Sequence, residues 1–329
     1  MSRSLVVGLD LGGTKMNAAL VDENGKSLAT ERQKTLPEEG PAAVIGRMAD
    51  LVKGLLAQAQ ATASDLGAVC IGVPGGVDDA RGVVDKAPNL GWAAVPLGAE
   101  LSSRLGGTRI FLDNDVRVGV LGEHAFGVGR GTKTMVGIFV GTGIGGGIIT
   151  NGTLHLGLRG AGGELGHMVI DPDGPRCPCG NRGCAEALAS RTSIERDVRA
   201  LIERGRRSRV LKMMKKENRP RLTSSVVERA LADGDPVMTK VFGRAQEAIG
   251  ILVANVVNML DPEVVVIGGG MAERLGESMV APIRAAAQSR FLLKRDTDRV
   301  RILATELKDL AAPMGAAFIA RSRLQKNAA

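Results

Sequence analysis

The chain has 329 residues, of which 44% are hydrophobic and 24% charged, a composition typical of a soluble protein of about two domains. Aromatic residues make up only 2%, which argues against a nucleic-acid surface built on stacked bases. No apolar run is long enough to span a membrane, and the first residues lead directly into a strand without a signal peptide. We therefore expect a cytoplasmic protein, in which disulfides rarely persist.

The formal net charge of +8 comes from one segment. Residues 204–221 contain nine Lys or Arg and a single Glu, so the rest of the chain is close to neutral. Such a segment is most often a solvated helix face or loop, and a weak contact with a polyanion is the alternative. We predict the solvated surface.

Apolar runs and glycine turns predict the elements in chain order. The first 28 residues form a meander of two or three strands, with turns at GGTK and ENGK. The elements that follow are a helix over residues 41–61, a buried strand at LGAVCIGVP, a loop at GGVDDARG, a short helix near residues 96–105, a strand over residues 108–115 and a helix at VRVGVLGEHAFG.

The opening order of elements recurs near residue 134. There the sequence TMVGIFVGTGIGGGIITNGTLHLG predicts strand, glycine turn, strand, Asn-Gly turn and strand again. Helices dominate from residue 186 onward, interrupted by strands at EVVVIGGG and VRILATEL, and a long helix closes the chain. The repeat predicts two related α/β halves facing each other.

The glycine turn at residues 141–147, GTGIGGG, formally contains G-x-G-x-x-G. A dinucleotide fingerprint would have to open a helix, whereas this turn opens a strand, so that interpretation fails on its context. The P-loop pattern is also absent. A hairpin turn remains, whose backbone N–H groups can form a nest for an anion.

The turn DLGGTK, residues 10–15, has the same shape and adds charged side chains. Asp10 can orient Mg²⁺, while Thr14 and Lys15 offer donors to a phosphate. Either turn alone is more simply a tight hairpin. Two such turns at matching places of a repeat favour a phosphate clamp, and IGGG at residues 267–270 is a candidate wall for the adenosine end of a nucleotide.

DND at residues 113–115 ends a predicted strand and precedes a helix. Ligands of α/β sheets gather at the carboxyl ends of strands, so Asp115 is a candidate general base for a sugar hydroxyl and Asn114 a candidate ligand of a neighbouring hydroxyl. For an isolated DND, a simple helix cap by Asp115 is the favoured alternative.

Three of the four cysteines lie within eight positions of the stretch CPCGNRGCAE. With His167 of AGGELGH, they make a Cys₃His set of the kind found in structural zinc sites: Cys177, Cys179 and Cys184. The C-x-C spacing differs from the C-x-x-C of thioredoxin-type motifs, which argues against redox work. Glu164 and Glu186 flank this set and are candidates for binding sugar hydroxyls. Cys70 is most simply a small buried hydrophobe.

Taken in this order, the motifs resemble those of the ROK family of sugar kinases and related repressors. Within that family, they are similar to the motifs of the ATP-dependent kinases that act on glucose. The matching stretches extend from residue 8 to about residue 270: DLGGTK, GVPGGVD, APNLGW, DND, GTGIGGG, AGGELGH, CPCGNRGCAE and VVVIGGG. The pairing of AGGELGH with the cysteine run is the most specific part.

The resemblance implies an actin-like, hexokinase-like α/β ATPase fold, with two RNase H-type domains and the active site in the cleft. We expect a smaller domain at residues 1–113 plus 307–329 and a larger one with the zinc loop at 114–306. The resemblance also implies ATP, Mg²⁺ and structural Zn²⁺ as cofactors. It implies no nucleic-acid or membrane partner, and a homodimer or homotetramer.

The resemblance also implies roles for individual residues. Asp115 would be the general base on the 6-hydroxyl of glucose, and zinc would bind His167 and the three cysteines. The expected sugar ligands are Asn89, Asn114, Asp115, Glu164, His167 and Glu186. The expected nucleotide and magnesium ligands are Asp10, Gly12, Gly13, Thr14, Lys15, Gly141, Thr142, Gly143, Gly145, Gly268, Gly269 and Gly270.

Three alternatives stay open at this point. Kinases of N-acetylglucosamine, N-acetylmannosamine, mannose or fructose would use much the same hydroxyl ligands. A sugar-responsive repressor would need a helix-turn-helix ahead of the first glycine turn, where only nine residues precede Asp10. A polyphosphate-dependent kinase has only the basic segment in its favour.

One departure from the family pattern is Val116-Arg117 after the DND motif, where Ala-Asn is common.

Overall fold

A computed structural model describes residues 5–326. The strands are β1 (Leu5–Leu11), β2 (Lys15–Val21), β3 (Ser27–Lys34), β4 (Leu66–Val73), β5 (Gly76–Asp78), β6 (Val83–Ala87), β7 (Trp92–Val95), β8 (Arg109–Asn114), β9 (Met135–Val140), β10 (Ile144–Thr150), β11 (Thr153–Leu154), β12 (Val264–Gly268) and β13 (Arg301–Ala304). The helices are α1 (Pro41–Gln58), α2 (Leu97–Arg104), α3 (Asp115–Phe126), α4 (Ala185–Ala189), α5 (Arg191–Glu203), α6 (Val210–Lys216), α7 (Ser224–Ala232), α8 (Pro236–Leu260), α9 (Gly270–Leu275), α10 (Glu277–Gln288) and α11 (Ala311–Lys326).

The chain divides into two compact units, one of residues 1–131 with 309–329 and one of residues 132–308. In the first unit a five-stranded sheet has the order β3-β2-β1-β4-β8. The first three strands are antiparallel neighbours, whereas β1, β4 and β8 run parallel. The apolar runs of these strands and of α1 supply the core of this unit.

The second unit repeats this design. Its five-stranded sheet has the order β11-β10-β9-β12-β13, with β9 antiparallel to β10 and parallel to β12. The long helix α8 begins after Asp235, whose carboxylate accepts hydrogen bonds from the backbone N–H groups of Val237 and Met238. The matching strand order confirms the repeated strand–turn–strand unit predicted from the sequence.

The first unit extends further along the chain than the expected boundary at residue 113. Helix α3 belongs to it because α3 packs closely on α11: a Cβ added to Gly122 would lie 1.9 Å from the backbone oxygen of Ala311. Only glycine permits that approach without a shift of one helix. The units therefore divide at 131/132 and 308/309 rather than at 113/114 and 306/307.

Strand β5 occupies part of the loop that the sequence predicts at residues 75–82, and it belongs to a small antiparallel sheet with β6 and β7; residues 79–82 form a turn. Its strands are only three to five residues long and include exposed Asp and Lys side chains, so they lack a clear alternating pattern. A single helical turn, Pro88–Leu90, lies between β6 and β7 and carries Asn89.

The basic segment, residues 204–221, lies on the surface of the protein, as predicted. All nine of its Lys and Arg side chains are exposed, on the segment that connects α5 to α6, on α6 and on the chain that follows. Within residues 5–326, no helix has the length and apolarity needed to cross a membrane.

Candidate active site and metal centre

The first glycine turn joins β1 to β2. Gly12 N–H donates to the backbone oxygen of Lys15 at 3.0 Å, which closes the turn. A Cβ added to Gly13 would lie 3.0 Å from the backbone oxygen of Asn89, so the helical turn that carries Asn89 packs directly against residues 12–14. The structure thus brings two of the predicted motifs, DLGGTK and APNLGW, together within the first unit.

Asp10 lies half-buried near the end of β1 and close to Asp115. Burial, followed by the charge of Asp115, raises the pKa of Asp10 to about 7, against the opposing effect of the Lys15 ammonium. Two carboxylates in a half-buried place are costly to ionise together unless a cation lies between or beside them. This donor set fits Mg²⁺, which prefers carboxylate oxygen ligands.

Lys15 has a partner that the DLGGTK motif does not predict. Its Nζ lies 2.6 Å from Asp309 Oδ1, and Arg32 Nη1 lies 3.4 Å from the other oxygen of the same carboxylate. Asp309 follows Lys15 by 294 residues and belongs to none of the motifs. Local sequence patterns therefore carry no signal for this contact.

Asp115 is the first residue of α3, at the carboxyl end of β8. The cap of this helix is Asn114, whose side-chain oxygen accepts from the backbone N–H groups of Val116 and Arg117 at 3.0 and 3.2 Å. Asp115 also accepts from Val116 N–H, at 2.9 Å. Since Asn114 supplies the cap, the alternative that Asp115 is present only as the N-cap loses its basis.

The departure at position 117 has a structural role. Arg117 Nε lies 2.8 Å from Asp113 Oδ1, and both side chains are largely buried. This ion pair joins the end of β8 to the first turn of α3. The side-chain nitrogen of Asn114 lies 3.5 Å from the backbone oxygen of Gly75, so both ends of that amide contact the backbone.

The second glycine turn joins β9 to β10 and is closed by Gly141 N–H, which donates to Gly143 O at 2.9 Å. Glu186 lies directly on this turn: its Oε2 accepts from Ile144 N–H at 2.9 Å. A Cβ added to Gly143 would lie 2.3 Å from the same oxygen, so any larger residue would push the carboxylate away. Two backbone N–H groups of the predicted anion nest are therefore already in use.

Two more predicted motifs pack around this turn within the second unit. A Cβ added to Gly166 would lie 1.9 Å from the backbone oxygen of Ile144, so the segment with Glu164 and His167 lies against the start of β10. A Cβ added to Gly269 would lie 2.7 Å from the backbone oxygen of Val140, which places residues 268–270 at the other side of the turn. Glu164 is exposed and His167 half-buried.

The four predicted metal ligands form one cluster. Their ligand atoms all lie within 4.8 Å of one another, among His167, Cys177, Cys179 and Cys184. His167 Nδ1 is 3.6 Å from Cys177 Sγ, and Cys179 Sγ is 3.6 Å from Cys184 Sγ. Zinc–sulfur bonds of about 2.3 Å in a tetrahedron would place two sulfur atoms about 3.8 Å apart.

The chemistry of this cluster also fits a metal ion. The cysteines are free thiols. Burial, together with hydrogen bonds from the neighbouring cysteines, raises the pKa of Cys184 to about 12. A divalent cation would offset the cost of bringing thiolates together, which is the usual reason for such an arrangement. Nδ1 of His167 points to the cluster and leaves Nε2 as the other ring nitrogen.

The site residues are distributed over both units. Asp10, Lys15, Asn89, Asn114 and Asp115 lie in the first unit. Glu164, His167, Glu186, the second glycine turn and the residues around Gly269 lie in the second. Cys70, expected to be a small hydrophobe, is fully buried in β4.

The model of the ROK family matches residues 6–323. The chain belongs to the ROK family. It is 36% identical to the glucokinase of Thermotoga maritima over 98% of this chain and 99% of that protein. A crystal structure of a ROK family glucokinase from Streptomyces griseus, in complex with glucose and AMPPNP, superimposes with a TM-score of 0.80 at 31% identity and covers 97% of this chain and 100% of that one.

Repressors are relatives as well. The xylose repressor of Caldicellulosiruptor bescii is 30% identical over 94% of this chain, which spans 76% of that protein. The structural similarity confirms the predicted hexokinase-like ATPase fold.

Proposed function

We propose that this chain transfers the γ-phosphoryl group of ATP to the 6-hydroxyl of D-glucose. The observation that carries the proposal is Asp115, a carboxylate at the carboxyl end of β8 beside Asp10, in a chain similar along almost its whole length to glucokinases. A repressor has no need of a base at that position. The proposal therefore assigns the chain to the sugar kinases.

The proposed ligands of the sugar hydroxyls are hydrogen-bonding side chains. Asn89, Asn114 and Asp115 would supply one set of contacts, and Glu164, His167 and Glu186 the other. Because Nδ1 of His167 faces the cysteines, Nε2 is the nitrogen left for a hydroxyl. The Asn114 amide already contacts the backbone at both ends, which restricts its rotation and fixes what it offers to the sugar.

The chemical step needs positioning and charge neutralisation more than covalent chemistry. The 6-hydroxyl oxygen attacks the γ-phosphorus and its proton passes to Asp115, while the bond from that phosphorus to the bridging oxygen of ADP breaks. Asp115 then releases the proton to solvent. Exclusion of water from the reacting groups would suppress hydrolysis of ATP.

The phosphates would lie along the two glycine turns, residues 10–15 and 141–147, with Gly268, Gly269 and Gly270 beside the adenosine end. Asp10 would hold Mg²⁺, which when bound neutralises phosphate charge. His167 and the three cysteines would hold Zn²⁺ away from the phosphates. The task of that zinc would be to fix the loop that carries His167 and Glu186.

Substitution of Asp115 by Asn tests the base directly. The variant keeps the shape of the side chain but cannot take the proton, so we expect kcat to fall about 10²–10⁴-fold. Glucose binding, measured by calorimetry, should stay close to wild type. A coupled assay for ADP and a phosphate-ester assay for the sugar product give the rates.

Asp50→Asn is the matched control, since Asp50 is exposed on α1 and away from the motifs. It should keep the wild-type rate. An Asp115→Asn enzyme with near-normal turnover would show that another group removes the proton.

A further inference from the structure

Arg191 is the first residue of α5, and its side chain contacts the second glycine turn. Its Nη2 donates to Thr142 Oγ1 at 2.7 Å, and its backbone N–H donates to Gly141 O at 3.0 Å. The neighbouring Thr192 hydroxyl donates to Thr142 O at 2.8 Å. The start of α5 is therefore held on the turn, with a guanidinium group beside it.

The charge of Arg191 is poorly compensated by the protein. Its side chain is half-buried, and among residues 5–326 no carboxylate forms an ion pair with it. Burial, followed by the nearby charge of Arg221, lowers the pKa of Arg191, and only Glu195 acts in the other direction. Glu195 is itself engaged by Arg199, Arg221 and the backbone N–H of Leu222.

The position within the helix adds to this cost. A helix carries partial positive charge at its N-terminus, where cationic side chains are unfavourable. The first turn of α5 has no acidic residue to offset it. Three effects therefore make the charge of Arg191 unfavourable: its partial burial, the nearby charge of Arg221 and the positive end of the helix. A bound anion would offset all three.

The turn itself requires a cation if phosphate is to lie there. Gly141 N–H and Ile144 N–H are already used, and the second of them binds the carboxylate of Glu186. That carboxylate would repel a phosphate group. An arginine fork, in contrast, matches phosphate oxygens in geometry and charge.

We propose that Arg191 binds a phosphate group of the nucleotide at the second glycine turn. The inference rests on the proposed function, because that function brings a nucleoside triphosphate to residues 141–147. Arg191 supplies the positive charge that these residues lack, and Thr142 orients its guanidinium. The end of the basic segment, at Arg221, adds to the positive potential around Arg191.

Binding of ATP and of adenosine, each without glucose, tests this role. Arg191→Met removes the charge and keeps an apolar side chain, and we expect it to weaken ATP binding about tenfold or more while adenosine binding stays the same. Arg191→Lys keeps the charge but not the fork, so its ATP affinity should lie between those of wild type and Arg191→Met.

Arg204→Met is the control, because Arg204 is exposed at the other end of α5, about 20 Å along the helix. It removes the same charge and should leave ATP affinity within about twofold of wild type. Circular dichroism and thermal unfolding check that each variant folds. If Arg191→Met does not fold, the ratio of ATP to adenosine affinity in Arg191→Lys decides.

Equal ATP affinity in wild type and Arg191→Met would overturn the inference. An equal loss for ATP and adenosine would also overturn it, because it would show a purely structural role. Since glucose is absent from the measurement, a wild-type protein that binds ATP but does not phosphorylate glucose contradicts the proposed function alone. A wild-type protein that does not bind ATP contradicts both.

Discussion

The two glycine turns occupy equivalent places in sheets of the same strand order, yet they obtain their charges differently. The first carries Asp10 and Lys15 at the ends of its own strands. The second has only glycine and threonine between its strands, and its acid, Glu186, follows Ile144 by 42 residues. The two halves thus share their strand order, whereas the chemistry of the second turn depends on a separate part of the chain.

This difference makes the second turn dependent on the cysteine cluster. Cys184 immediately precedes α4, and Glu186 lies in the first turn of that helix. Any movement of the cluster would therefore move the carboxylate that contacts Ile144. The first turn has no comparable dependence on a metal ligand loop, so the two turns should respond differently to substitution.

Among the three substitutions that compare the two turns, Asp10→Asn at the first turn should have the largest effect. Loss of this charge removes the proposed ligand of Mg²⁺, and we expect kcat/KM for ATP to fall about 10²–10³-fold. The concentration of Mg²⁺ needed for half-maximal rate should rise. An unchanged rate and an unchanged Mg²⁺ dependence in this variant would show that Asp10 does not bind Mg²⁺.

A smaller effect, but one confined to the second unit, is expected from Cys177→Ala. The variant should lose bound zinc, measured by elemental analysis, and activity should fall about 10–100-fold with weaker glucose binding. Cys70→Ala is the matched control and should retain zinc, because Cys70 lies in β4 of the first unit. Normal glucose affinity in a zinc-free variant would show that the cluster does not support the sugar site.

Glu186→Gln should have the smallest effect of the three. The amide oxygen can still accept from Ile144 N–H, so the turn should keep its shape while the charge is lost. We expect the KM for glucose to rise about tenfold, the usual cost of weakening one hydrogen bond to a charged group. An unchanged KM for glucose would show that Glu186 contacts the second glycine turn but does not bind the sugar.

The sequence predicted the parts of the fold that depend on local patterns. The strands β1 and β2, the helix α1 and the buried strand β12 follow from apolar runs bounded by glycine or proline. The sheet of β5 to β7 was missed because its strands are too short to show a pattern. The boundary near residue 113 was missed because the packing of α3 on α11 joins residues almost 200 positions apart.

In the candidate site too, the features that depend on local patterns were predicted and those that depend on long-range contacts were not. His167 and the three cysteines were predicted as one cluster because their residue types are distinctive and their spacing is short. The contact of Glu186 with the second turn, the pairing of Lys15 with Asp309 and the position of Arg191 were not predicted. Each joins residues from 42 to 294 positions apart, and charged residues of these types are common on any surface.

The most direct test of the account is the choice of sugar and phosphoryl donor. Values of kcat/KM for glucose, mannose, fructose, N-acetylglucosamine and N-acetylmannosamine, each with ATP and with polyphosphate, can be measured in one series. We predict the highest value for glucose with ATP. A higher value for an N-acetylhexosamine, or for polyphosphate as donor, would contradict the account.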